Sequence, residues 1–271
     1  MTPLASLPTS VLRSIRCVFT DIDDTLTDLG QLTAKTYQAI ESLEKVGIPV
    51  VPITGRPAGW CDLIARLWPV AGIVGENGAF YFRYDRNEKK MQRYYVDSDN
   101  DRLAKREALA ILGKEILNQV PGAAISADQL YRETDLAIDF AEDVPPLSDE
   151  KIDQIVALFQ NRGATAKVSS IHVNGWFGDY DKLSMTRNYT RHCLGASLDE
   201  EKSNFIFVGD SPNDSPMFEF FPNSIGVANV KHFIDRLKAP PKYVTTHPGG
   251  DGFSEVAAAL VTAHNQQKQY D

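Results

Sequence analysis

The sequence predicts an α/β protein whose parallel sheet is interrupted by an inserted α+β segment. Three observations predict it. Residues 48–53 form an apolar run without alternation, as expected of a strand covered by helices on both faces. Strands and amphipathic helices alternate early in the chain and again late in it. Between these stretches the order becomes helix, strands, helix, strands, which is a different kind of unit. The division expected is 1–97 with 180–271 for the parallel unit and 98–179 for the insertion.

Each element has a local reason. Residues 1–14 hold two prolines and several Ser and Thr, and read as a loose lead-in. The run from Cys17 is β-branched and aromatic, and reads as a buried strand. Thr33 is a helix N-cap, followed by Tyr37, Ile40, Leu43 and Val46 at helical spacing, with Gly47 as the stop. The strand at 48–53 ends in Thr54-Gly55-Arg56-Pro57, and a helix follows. A short strand at 72–74 ends in Gly75-Glu76-Asn77-Gly78, and 79–84 with 91–96 form a hairpin. In the insertion, 101–120 is a helix with Leu103, Ala110 and Leu117 on one side. Strands are expected at 134–140, 166–173 and 176–178. A second helix spans 148–163, with Ser148-x-x-Lys151 as its cap and Ile152, Ile155, Val156 and Phe159 on its apolar face. Helix 183–194 and strand 204–208 resume the alternation, and that strand ends in Gly209-Asp210-Ser211-Pro212-Asn213-Asp214. Strands at 224–228 and 243–246 and a helix at 252–264 complete it.

Composition narrows the function. The chain has 271 residues, 43% of them hydrophobic, enough for a full core. A net charge of −8 argues against a nucleic-acid-binding surface. The three cysteines, Cys17, Cys61 and Cys193, have no metal-ligand spacing and read as reduced. Neither a targeting segment nor a membrane-spanning run is evident, so a cytoplasmic protein without a membrane partner is expected.

The chemistry is concentrated where strands end. Asp21 and Asp23 are two apart on extended backbone, so their side chains leave on the same side. Such a pair repels unless a cation lies between the carboxylates or one of them holds a proton. Asp21 is the candidate nucleophile, able to attack phosphorus and form an acyl phosphate. Asp23 is the candidate general acid and base. Asp210 and Asp214 bring further oxygen ligands to the same rim, and hard oxygen donors beside a phosphate favour Mg²⁺. Thr54 can donate its hydroxyl to a phosphoryl oxygen, and Lys182 can neutralise the transferring group. Taken singly, each has an ordinary explanation as a turn, a cap or a solvated charge. Together, and in this order, they read as a phosphate-handling site.

The set Asp21-Ile22-Asp23-Asp24-Thr25, Thr54-Gly55-Arg56, Lys182 and Gly209-Asp210-Ser211-Pro212-Asn213-Asp214 resembles the four motifs of the haloacid dehalogenase-like phosphohydrolases. Glu76-Asn77-Gly78-Ala79 and the position of the insertion look like the type IIB, or Cof-type, subgroup. The resemblance implies a Rossmann-like core with a mobile cap and aspartyl-phosphate chemistry. It implies Mg²⁺ held by Asp21, the Asp23 carbonyl and Asp210, with Asp214 a ligand or a partner behind the ligands. It also implies phosphate contacts from Thr54, Gly55, Arg56, Lys182 and Asn213. Asp24 stands where many relatives have Gly, and Ser211 also replaces a common Gly.

The substrate expected is a small phosphate ester, a sugar phosphate or phosphorylated glycoside, because relatives with this cap act on such esters and on flavin or pyridoxal phosphates. Arg132, His172, Asn174 and Trp176 are the cap candidates for contacting it; ordinary packing is the competing explanation for His172 and Trp176. Two rivals stand. Residues 175–182 faintly resemble the segment before the motif lysine of phosphomannomutases, which return the phosphoryl group to sugar. A non-catalytic binding protein on the same scaffold is the other.

Overall fold

The computed structural model describes residues 1–169 and 171–267. In chain order the strands of the first part are β1 (Thr2–Pro3), β2 (Cys17–Thr20), β3 (Thr27–Asp28), β4 (Gln31–Leu32), β5 (Val50–Pro52), β6 (Ile73–Gly75), β7 (Phe80–Asp85) and β8 (Lys90–Tyr95). Helices α1 (Thr9–Ser14), α2 (Ala34–Val46) and α3 (Ala58–Leu67) lie among them. The middle part holds α4 (Asp99–Gln119), β9 (Ala124–Ile125), β10 (Leu136–Asp139), α5 (Asp149–Asn161), β11 (Thr165–Val168) and β12 (His172–Trp176). The last part holds α6 (Lys182–Tyr189), α7 (Leu198–Glu201), β13 (Phe205–Gly209), α8 (Ser215–Phe220), β14 (Ile225–Gly226), β15 (Tyr243–Val244) and α9 (Gly249–Gln267). No helix among the described residues is long and apolar enough to cross a membrane.

Six strands form a wholly parallel sheet in the order β1-β15-β14-β13-β2-β5. Alternate residues feed two separate cores, one on each face. Val18, Val50, Ile206 and Val208 join Ile40, Leu43 and Leu260 of α2 and α9 on one side. Cys17, Phe19, Val51, Phe205 and Phe207 meet Met185 and Tyr189 of α6 on the other. This double burial is why the strands lack polar alternation. Thr33 caps α2 by accepting the Thr36 N–H at 3.2 Å, and Gly47 ends it in the left-handed region.

The middle part has its own sheet, β11-β12-β10-β9, antiparallel throughout, backed by α4 and α5. Its core stripe on α4 is Leu109, Leu112 and Ile116, continued by Val120 at the C-cap, whereas Leu103 and Ala110 are exposed. The expected stripe through Leu103 is therefore displaced around the helix, because Gly113 lets Ile125 and Leu136 approach that face. The expected strand 166–173 is two strands separated by a turn at Ser169, and Trp176 ends β12 instead of opening another. Ser148 occupies the N-cap of α5 but makes no capping bond with its side chain.

The first fourteen residues are not a loose lead-in. β1 pairs with β15 at the sheet edge, and Leu4, Leu7 and Leu12 are buried in the core beside α9. The side chains were apolar at the right positions, but a helix of six residues has too short a period to be read alone. Replacement Leu12→Ala should cost about 2–4 kcal/mol in urea unfolding; a cost under about 0.5 kcal/mol would mean that the segment does not pack.

The two units are joined by a buried polar junction. Glu76 has left-handed backbone (φ 42°) and a fully buried carboxylate. It accepts the Ala58 N–H at the start of α3 (2.9 Å), the N–H groups of Glu133 (2.9 Å), Thr134 (2.6 Å) and Asp135 (3.2 Å), and the Thr134 hydroxyl (2.5 Å). Arg132 donates to the Gly55 carbonyl at 3.0 Å and ion-pairs with Asp128 and Asp135. Burial pushes the Glu76 carboxyl up to about 7, and Asp135 adds to the rise, against the pull of these donors. An amide in its place would turn an NH₂ toward N–H groups. Glu76→Gln is therefore predicted to destabilise the protein by about 3 kcal/mol, read by denaturant unfolding, and an unchanged midpoint would remove the junction from the account.

Candidate active site

Three neighbouring strands of the parallel sheet deliver the acidic residues and the threonine. β2 runs into Asp21, β13 into Asp210 and β5 into Thr54, all at the carboxyl rim where open α/β sheets bind ligands. The Asp21 N–H donates to the Val208 carbonyl at 2.9 Å, which ties the two acidic loops together.

Lys182 arrives from outside the sheet, at the first position of α6. Asp181 caps that helix in a reciprocal box with Ser184, which fixes where the helix begins. Gly78, at φ 107°, presses against the same point: a Cβ there would stand 2.0 Å from the Asp181 carbonyl oxygen. The 76–78 turn thus props the lysine into place and can do so only with glycine at its end.

Lys182 Nζ lies 3.0 Å from Asp21 Oδ1 and 3.0 Å from Asp214 Oδ1, with all three side chains buried. Burial works against its ammonium, but the two carboxylates outweigh it and raise its pKa above the ordinary lysine value. Asp214 also accepts the Asp210 N–H through Oδ2 at 3.2 Å, so both of its oxygens are engaged. Gly209 makes room for it, since a Cβ there would come within 2.4 Å of that oxygen. Asp210 is oriented by the Thr25 hydroxyl (3.0 Å) and the Asn229 amide (3.3 Å).

Oxygens of Asp21, Asp210 and Asp214 lie within 4.8 Å of one another. One ammonium faces three buried carboxylates. Burial pushes the Asp21 carboxyl up to about 7 against Lys182, with Asp214 and Asp23 adding to the rise. Asp210 is raised well above the ordinary range, by burial first and then by Asp214 and Asp21. Hard oxygen donors with surplus negative charge fit a small divalent cation, which would relieve all of these penalties.

Asp23 is less buried and is gripped by Arg56, whose Nε and Nη2 lie 3.0 and 2.7 Å from its oxygens. Arg56, expected to contact phosphate, lines the cavity at this rim and orients the neighbouring acid. Its backbone N–H donates to the buried Thr54 hydroxyl at 3.0 Å, and that hydroxyl keeps its own proton to donate. The 54–56 loop is pinned from the other side, where the N–H groups of Asn77 and Glu76 reach the Thr54 and Arg56 carbonyls. Asp24 has φ 54°, the left-handed conformation that Gly adopts freely and Asp tolerates. The residue found here in place of the common Gly therefore keeps the Gly conformation.

A cavity of about 1160 Å³ opens between this rim and the β11–β12 face of the middle part. Asp21, Asp23, Gly55, Arg56, Lys182, Asp210 and Asn213 line it from one side, and Arg132, His172 and Asn174 from the other. Thr54 and Asp214 stand just behind the lining. Trp176 does not reach the cavity: it is fully buried and stacks on Tyr180, with centroids 5.8 Å apart. As a packing residue it is withdrawn from the substrate contacts. Arg132 touches the cavity, but its guanidinium is consumed by Asp128, Asp135 and Gly55, so it serves the junction. Asn174 donates to Asp135 at 3.1 Å. His172 Nε2 stands 2.8 Å from Glu142 without the alignment of a full hydrogen bond, and burial lowers its pKa. Asn229, Glu76 and Lys167 were missed by sequence reasoning. Only Glu76 had a signal, as part of the Glu-Asn-Gly-Ala string.

A family profile described as haloacid dehalogenase-like hydrolase matches residues 18–154 and 147–256. The phosphoglycolate phosphatase of Methanobrevibacter smithii is 27% identical over 257 residues, covering 92% of this chain and 99% of that one. The phosphoglycolate phosphatase of Archaeoglobus fulgidus is 28% identical, covering 90% and 96%. Among solved structures, the C-terminal domain of trehalose-6-phosphate phosphatase from C. albicans superposes with a TM-score of 0.70 at 15% identity, covering 97% of this chain and 98% of that one. That likeness speaks for the fold. The profile spans well over half of the residues, and the chain belongs to the haloacid dehalogenase-like hydrolases.

Proposed function

We propose that this phosphoric monoester hydrolase cleaves a small phosphate ester in two steps, through an acyl phosphate on Asp21, with Mg²⁺ as its cofactor. The observation that carries the reading is Lys182, buried between Asp21 and Asp214, with Asp210 beside them at the sheet rim. Asp21 and Asp210 would hold the cation, with Asp214 fixing Lys182 and the 210–211 backbone behind them. Bound there, Mg²⁺ would offset charge on the phosphoryl oxygens.

In the first step an Asp21 oxygen attacks phosphorus while the bond to the leaving oxygen breaks. Asp23 gives that oxygen its proton, so the alcohol leaves neutral. In the second step water attacks the phosphorus of the acyl phosphate and its proton returns to Asp23. Inorganic phosphate leaves and the Asp21 carboxylate is restored. Arg56 holds Asp23 in place, while Lys182 and the Thr54 hydroxyl stabilise charge on the transferring group. The cap face closes the other side of the cavity and limits water during the first step.

The substrate reading is a small ester with a polar leaving group. Sugar phosphates, the expectation from the sequence, are supported by the trehalose-6-phosphate phosphatase fold likeness. Short phosphorylated hydroxy acids are supported by the names of the archaeal relatives. Phosphate release from a panel of both kinds should require Mg²⁺ and stop with chelator. Asp21→Asn should lower kcat on the order of a thousandfold or more while leaving thermal unfolding cooperative. Release that persists in the folded variant would remove Asp21 as nucleophile. Transfer to a second sugar hydroxyl instead of water would favour the mutase.

A further inference from the structure

Three of the five Lys and Arg side chains that line the cavity are committed. Arg56 is held by Asp23, Arg132 by Asp128 and Asp135, and Lys182 by Asp21 and Asp214. Lys167 is different. It lies on β11 directly opposite Asn174 of β12, so the two side chains share the sheet face that looks into the cavity, and both line it. Among the described residues no ion pair or hydrogen bond holds its ammonium. It is partly buried, and close enough to Lys182 and Asp214 to feel their charges. Arg236 is another lining cation without an ion pair among the described residues, but it is exposed and belongs to the parallel unit and not to the β11–β12 face.

A part-buried ammonium without a partner carries a desolvation cost that an arriving anion would offset. The phosphoryl end of a substrate is claimed by Asp21, Lys182 and Thr54 on the opposite wall. Whatever reaches Lys167 belongs to the leaving group.

We propose that Lys167 is a specificity-determining residue that binds a carboxylate on the leaving group, so that the preferred substrate is a phosphorylated hydroxy acid. This rests on the phosphatase reading above and narrows it. A carboxylate is the group that matches a single ammonium by charge-assisted hydrogen bonding, and its arrival satisfies the lysine. Burial, together with the like charge of Lys182, lowers the Lys167 pKa against the pull of Asp181 and Asp214. The acids that also line this side bear on the geometry. Glu142 is turned to His172, and Asp149 and Asp153 are exposed on α5, so none of them neutralises Lys167.

The test compares two esters that differ in the carboxylate, 2-phosphoglycolate and ethyl phosphate, in the Mg²⁺-loaded enzyme. The ratio of their kcat/KM values should favour phosphoglycolate at least tenfold. Lys167→Gln should reduce that ratio tenfold or more, mainly through KM for phosphoglycolate, and Lys167→Arg should restore most of it. No preference in the parent enzyme, or a ratio that moves less than twofold in Lys167→Gln, overturns the assignment while the phosphatase reading stands. Should neither ester be cleaved, the phosphatase reading is judged on the sugar phosphates of the panel, and calorimetric binding of phosphoglycolate still decides the role of Lys167. Tenfold weaker binding to Lys167→Gln supports it, and equal binding overturns it.

Discussion

The site is organised by an imbalance of charge. Three buried carboxylates, Asp21, Asp210 and Asp214, meet one buried ammonium, and no strand end in water would tolerate that arrangement without compensation. Most of the local structure serves to hold the four groups there. The adjacency of β2 and β13 brings Asp21 beside Asp210, the capping box at Asp181 sets Lys182, and Gly209 gives Asp214 room to reach back to the Asp210 N–H. The same imbalance gives a cation a reason to bind and gives Asp21 a poised, weakly solvated oxygen.

A second constraint lies at the junction between the units. The turn at 76–78 has three consecutive residues in left-handed backbone, and each has a task. Glu76 gathers donors from α3 and from the 133–135 segment. Asn77 pins the threonine loop, and Gly78 admits the start of α6. Strain of this kind persists only where the surroundings fix it. The turn therefore links the position of the β11-β12-β10-β9 sheet to that of Lys182, and the wall that carries Lys167 is registered against the wall that carries Asp21.

The acidic motifs were legible in the sequence because their residues are neighbours along the chain and each string sits where a strand stops. The parallel sheet was legible for a related reason, since burial on both faces writes itself as apolar runs. What escaped was set by partners distant in sequence. Arg132, a candidate substrate contact from the sequence, donates to Gly55, 77 residues away. Trp176, a cap candidate with ordinary packing as its competing explanation, fills the space beside Tyr180. Asn229 and Lys167 belong to no motif, and only folding places them beside Asp210 and the cavity. The lead-in was missed because its few apolar residues acquire meaning only against α9.

The most direct test of the charge cluster is anomalous diffraction from crystals soaked in Mn²⁺, a stand-in for Mg²⁺ with similar oxygen preference. The account predicts one ion bound by carboxylate oxygens of Asp21 and Asp210, with Asp214 still hydrogen-bonded to Lys182. A well-ordered cluster without an ion at saturating Mn²⁺, or an ion held elsewhere in the cavity, would contradict it.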